Sequence, residues 1–211
     1  MVTVTGTAAT SSKLFTSARS KIKIAQPLWG LNNNGTCGIF EGTLNKLITA
    51  YPNHRDFDEV LVKCMCINTA YSTMLNKNDL VEIADGIAKS IAFSTYISTH
   101  PVNAVNFIAS IGTHRHYSFA TKYCALHFPN LYPIFDKFAF EALRYYNDPK
   151  NGYTPFWGKR ITRAACHNYQ TYIDIYNAFI NAYGLHTFSY REIDKYLWHF
   201  AKSNFNPTLK F

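Results

Sequence analysis

Residues 111–136 read IGTHRHYSFATKYCALHFPNLYPIFD, and the fold turns on how this stretch divides. Ile111 and Gly112 close an apolar helical run that starts at Pro101 and passes through Val105 and Ile108. Proline suits a first helical turn and glycine a helix end, so that run is a helix. Thr113 to Tyr117 forms a polar turn with three potentially cationic side chains, His114, Arg115 and His116. Ser118 to His127 is a second helix, ended by Pro129-Asn130. Pro133 forces Leu131 to Phe135 to be extended or turned, because a residue before proline is pushed out of the helical region. Asp136 then caps a third helix through Tyr145. The stretch is thus helix, turn, helix, extended approach, helix.

Working outward, the same period holds. Ile39, Leu44, Leu47 and Ile48 recur at helical spacing before the turn Tyr51-Pro52-Asn53. Asp56 opens a long helix to about Ser72, with Glu59 as its capping partner and Val60, Leu61, Cys64, Ile67 and Asn68 inside. Asn78 or Asp79 caps the next, whose apolar side runs from Leu80 through Ile83, Ala84 and Ile87 to Ile91. Asn147 to Lys159 holds Pro149, Gly152, Pro155 and Gly158 and reads as a structured loop. Two helices follow, Ile161 to Tyr183 and Tyr190 to Ser203, the second capped by Ser189 with Glu192 and docking on the core. No segment alternates as a strand does. The chain is all-α, a two-lobed helical bundle of roughly eight helices.

Composition bounds the function. Hydrophobic residues make up 47% of the 211 and charged residues 16%, enough to fold a large core and too apolar for a disordered chain. No uncharged apolar run reaches the ~20 residues that a membrane-spanning helix needs. The five cysteines, an odd number, argue against a disulfide framework and for an intracellular setting, cytoplasm or nucleoid. All five read as small buried hydrophobes, and Cys64-Met65-Cys66 is spaced too closely for a zinc knuckle. The net charge of +8 favours an anionic partner. Residues 1–24 contain no acid and carry Lys13, Arg19, Lys21 and Lys23. They read as an organellar transit peptide, a loose basic arm or a partly ordered terminus. The rest, 25–211, forms one helical domain with a central unit at 55–146 and C-terminal helices over 147–211 packing back.

Three pieces carry chemistry: Ile67 to Thr73 at a helix end, Ser118 to Cys124 behind the 112–117 turn, and Pro133-Ile134-Phe135-Asp136. Together they resemble the helix-hairpin-helix DNA glycosylase superfamily, the group of endonuclease III and the 8-oxoguanine glycosylases. The resemblance covers roughly Asp56 to Tyr145. In that family a catalytic Asp lies sixteen residues beyond the Ala of a Lys-Thr-Ala triplet, and Ala120 to Asp136 has the same separation. The gapless register gives the lyase lysine's place to Ser118; taking Lys122 instead requires a shorter connection. The chain departs from the family in its hairpin, which has one glycine where Leu-Pro-Gly-Val-Gly is usual. It also lacks the C-terminal iron–sulfur cysteines.

The resemblance implies an enzyme that excises a modified or mismatched base from duplex DNA, acting as a monomer with no cofactor or metal and away from membranes. Asp136 is then the carboxylate that stabilises the oxocarbenium-like sugar and activates water, and with serine at position 118 base removal alone is expected. Ser118 and Lys122 line the catalytic helix. His114, Arg115, His116, Lys137, Lys159 and Arg160 face nucleic acid, Trp157 stacks a base, and Tyr71 fills the gap it leaves. Each feature also has a plainer reading. Asp136 is an ordinary cap, Tyr71 packs between helices, and Tyr153, Phe156 and Trp157 plug a groove. Lys122 is a solvated or phosphate-touching residue, and His127 a hydrogen-bonded core histidine. On those readings the protein is a catalytically silent helical module that binds nucleic acid or a protein partner.

Overall fold

The computed structural model describes residues 36–205, so the expectations for the 1–24 arm fall outside the described residues. Among the described residues there are ten α-helices and one short 3-10 turn, with no strand, and the chain is all-α. The helices are α1 Thr36–Ala50, α2 Phe57–Tyr71, α3 Lys77–Lys89, α4 Ile91–Thr99, α5 Pro101–Ala109, α6 Tyr117–His127, α7 Lys137–Tyr146, α8 Arg163–Cys166, α9 Tyr169–Tyr183 and α10 Tyr190–Asn204. None is long and apolar enough to cross a membrane.

Capping fixes most boundaries. Asp56 accepts the Glu59 amide at 3.0 Å, Asp136 accepts that of Ala139 at 2.8 Å, and Ser189 and Glu192 form a reciprocal capping box. Two expected helices are each split. The run to Ile91 breaks at Ser90, whose hydroxyl accepts the Phe93 amide and starts α4, leaving Ile91 76% exposed. The span from Ile161 breaks between α8 and α9, where Thr162 and Asn168 supply separate caps. Asn76, rather than Asn78 or Asp79, caps α3.

Helix α6 is the centre of the molecule. Every residue from Phe119 to Leu126 is buried, so this helix has no solvent face and is packed on all sides. It follows α5 through a tight turn in which Gly112 adopts φ +83°, a left-handed value that favours glycine, and the His116 amide returns to the Ala109 carbonyl. The buried apolar side chains form one cluster that runs from Leu44 on α1 to Ala201 on α10. Cys64, Cys124 and Cys166 are buried free thiols within it and Cys66 is half-buried.

Candidate functional site

Beyond α6 the chain runs extended to α7, and its backbone is clamped there by hydroxyls. Thr121 Oγ1 accepts the Phe135 amide at 3.1 Å, Tyr169 donates to the Pro133 carbonyl at 3.1 Å, and Tyr172 donates to the Ile134 carbonyl at 2.7 Å. A buried carbonyl without a partner would cost the folded state, so these bonds fix the path of the segment. Its end, Asp136, is therefore held beside α6. Asp136 caps α7 through Oδ1 alone while its side chain lines a cavity of about 880 Å³. That volume suits a ligand of nucleotide size.

Six of the residues singled out in the sequence meet at this cavity: Asp136, Ser118, Lys122, Tyr71, Arg115 and Lys137. Ser118 and Lys122 sit one turn apart on the same face of α6, and Lys122 Nζ donates to Ser118 Oγ at 2.6 Å. Lys122 is buried, 4% exposed, so the plainer reading of it as a solvated residue does not hold. Burial pushes its ammonium below the usual lysine range, and the nearby Asp136 and Asp194 carboxylates recover only part of that shift. Arg115 reaches across to donate to the His167 carbonyl at 3.0 Å and lies over the Tyr117 ring.

The wall opposite α6 was not legible in the sequence. Helix α10 brings Arg191, Asp194 and Trp198 to the cavity, and α1 brings Glu41. Arg191 donates to Asp194 Oδ2 at 2.7 Å, to Glu41 Oε1 at 3.3 Å and to the Tyr71 hydroxyl at 2.8 Å. Lys195 adds a second bond to Glu41 at 2.7 Å. Burial works to raise the Glu41 carboxyl, but Arg191 and Lys195 outweigh it and hold the group below the ordinary carboxylate range. Tyr71, half-buried at this network, has its hydroxyl raised to about 12 by desolvation against the pull of Arg191. Its hydroxyl is thus tied to Arg191 inside the site, and its ring lies beneath both Arg191 and Lys122.

The remaining sequence-based choices lie elsewhere. His114 is exposed on the turn, with Nδ1 against the Thr113 hydroxyl at 2.8 Å. His116 turns inward toward Asp79, 3.7 Å away, and does not face outward to a phosphate. Trp157, Lys159 and Arg160 are not among the residues that line the cavity. Asn147 anchors their loop by accepting the Trp157 amide at 2.7 Å and donating to the Lys159 carbonyl at 3.0 Å. The Tyr153 and Phe156 rings pack on Tyr146 and Phe179, filling a groove. His127, expected to be hydrogen-bonded, has no partner for Nε2 among the described residues and packs on the His54 ring at 4.3 Å.

Residues 31–131 match the family described as HI_0787_N, N-terminal domain. An uncharacterized protein of Haemophilus influenzae is 33% identical over 89 residues, 42% of this chain and 38% of the relative. The match thus spans well under half the length of that relative. No solved structure matches the chain. Tyr71, Ser118 and Lys122 fall within the family-matched residues, whereas Asp136, Arg191 and Asp194 lie beyond them.

Proposed function

We propose that the protein is a DNA N-glycosylase that removes a modified or mismatched base, with Asp136 as the carboxylate at the reacting sugar. The observation that carries this reading is the meeting of Asp136 with Ser118 and the buried Lys122 around one cavity behind the α5–α6 turn. Departure of a base leaves positive charge on the deoxyribose, and a fixed carboxylate in a poorly hydrated site stabilises it. The aromatic side chains Phe135, Phe138 and Trp198 on the cavity lining offer faces for an extruded base. A net charge of +8 supplies attraction to the phosphate backbone.

On this reading the side chain that fills the vacated stack is Met74, not Tyr71. Met74 is 88% exposed and held at φ +63°, immediately after the cavity-lining residues Ser72 and Thr73. Asn68 pins its loop by accepting the Leu75 amide at 3.0 Å and the Thr73 hydroxyl at 2.7 Å and donating to the Leu75 carbonyl at 3.1 Å. An unbranched apolar side chain presented by a strained, rigid loop suits insertion between base steps.

One observation favours a second, bifunctional reading. The register gives the lyase position to Ser118, yet Lys122 Nζ lies 2.6 Å from Ser118 Oγ. A buried amine with a lowered pKa at that point is a competent nucleophile toward C1′ of the sugar. The test of the overall proposal is release of base from duplexes carrying uracil, hypoxanthine, 8-oxoguanine or N7-methylguanine. Release from at least one is expected. Release from none leaves the helical binding module as the account of this fold.

A further inference from the structure

Asp194 presents on the cavity wall a buried carboxylate oxygen that no hydrogen bond among the described residues uses. Its side chain is 6% exposed, and Oδ2 is held by Arg191 at 2.7 Å. Oδ1 is shielded from solvent and has no hydrogen-bond partner among the described residues. A buried oxygen in that state is costly unless it is protonated or a ligand completes it. Because Asp194 lines the same cavity as Asp136, the ligand is the group placed to do so.

Resting on the glycosylase reading, we propose that Asp194 is the general acid of the reaction and donates the Oδ1 proton to the departing base. The C1′–N bond breaks with its electron pair going to the base, and the Asp194 proton moves onto that base. Asp194 is left as a carboxylate paired with Arg191. Water adds to C1′ and gives its proton to Asp136. One carboxyl group thus assists the leaving group while the other serves the sugar, the division of labour that glycoside cleavage requires.

The surroundings of Asp194 favour a proton on its carboxyl. Asp136 Oδ1 is engaged by the Ala139 amide at the start of α7. Around Asp194, Arg191 on its own helix and Lys122 on α6 favour charge, whereas Asp136 and Glu41 oppose it. Tyr71 of α2 and Tyr172 and Tyr176 of α9 also feel this carboxyl. Burial dominates, and with the two neighbouring acids it raises Asp194 to about 7 despite Arg191.

The experiment is the pH dependence of single-turnover base release by the full chain from the uracil, hypoxanthine and 8-oxoguanine duplexes, whose bases leave as anions unless protonated, for wild type and Asp194→Asn. Wild-type rates are expected to fall as pH rises past neutrality, when the acid loses its proton. Asp194→Asn should be slower by about two orders of magnitude, the usual worth of a general acid, and should lose that alkaline limb. A wild-type profile flat through pH 9 overturns the proposal without recourse to any variant. So does an Asn variant within threefold of wild type, or one that is slower but keeps the limb. Release of no base by the wild type overturns the glycosylase reading itself, a separate failure.

Discussion

Lys122 Nζ reaches Ser118 Oγ across one turn of α6, at 2.6 Å, in the interior of the molecule. The two side chains that compete for one position in the register are therefore a hydrogen-bonded pair facing one cavity. A lysine placed this way costs desolvation energy that a leucine would not, and no carboxylate lies in direct salt-bridge contact with it in the described structure. Such a residue is more economically explained by the reactivity of its amine than by stability.

On the bifunctional reading, wild-type protein is expected to be trapped on abasic DNA by borohydride, which reduces the imine between an amine and the opened sugar. Lys122→Gln should abolish the adduct and leave binding to intact duplex within a few-fold. If no adduct forms with the wild type, the enzyme removes bases without cutting the strand. An adduct that survives in Lys122→Gln places the nucleophile on another amine.

Met74→Ala should leave the melting temperature unchanged, because the side chain is 88% exposed and packs on nothing that truncation would empty. Base release from a stacked duplex should drop about tenfold, since the vacated stack is no longer filled. Release from a single-stranded oligonucleotide should hold. Equal loss on both substrates would remove Met74 from the role of wedge.

How far the sequence foretold this molecule depends on whether the signal is local. Caps at Asp56, Asp136 and Ser189 were readable because their chemistry lies within three residues. The break at Ser90 was not, since the apolar spacing continues through Ile91 with no glycine or proline to stop it. Asp136 and Ser118 were reached through the register of the family resemblance along a contiguous stretch, and Arg115 through the basic turn ahead of it. Arg191 and Asp194 were missed because α10 reads as a docking helix, and nothing near them announces a partner on α1 or α2. The burial of Lys122 was not legible for the same reason, though its place on the site-lining helix was. Its burial is imposed by side chains from α2 and α10, over 50 residues away in either direction.

The edge-to-face pair of buried His54 and half-buried His127 gives a stability signature apart from catalysis. Burial lowers His54 to about 4 and His127 to about 2, with Lys63 adding to both. Unfolding returns each to about 6.5, so the unfolded chain binds more protons as pH falls below that value. Stability is then lost between pH 6.5 and about 4 through both residues, at up to about 1.4 kcal/mol per pH unit each, and below that through His127 alone. His127→Phe should flatten the dependence measured by urea unfolding between pH 7 and 4. An unchanged slope would show that His127 is charged in the native protein.

The central claim is that Asp136 performs chemistry in addition to capping α7, and Asp136→Asn separates the two. Asparagine caps a helix about as well as aspartate, so the melting temperature should stay within a few degrees. DNA affinity should hold or tighten slightly as one negative charge leaves the cavity. Single-turnover base release from whichever lesion duplex the wild type processes should fall by two or more orders of magnitude, about the worth of one well-placed electrostatic group. A folded Asn variant that releases base at the wild-type rate would contradict the account and leave Asp136 as a helix cap.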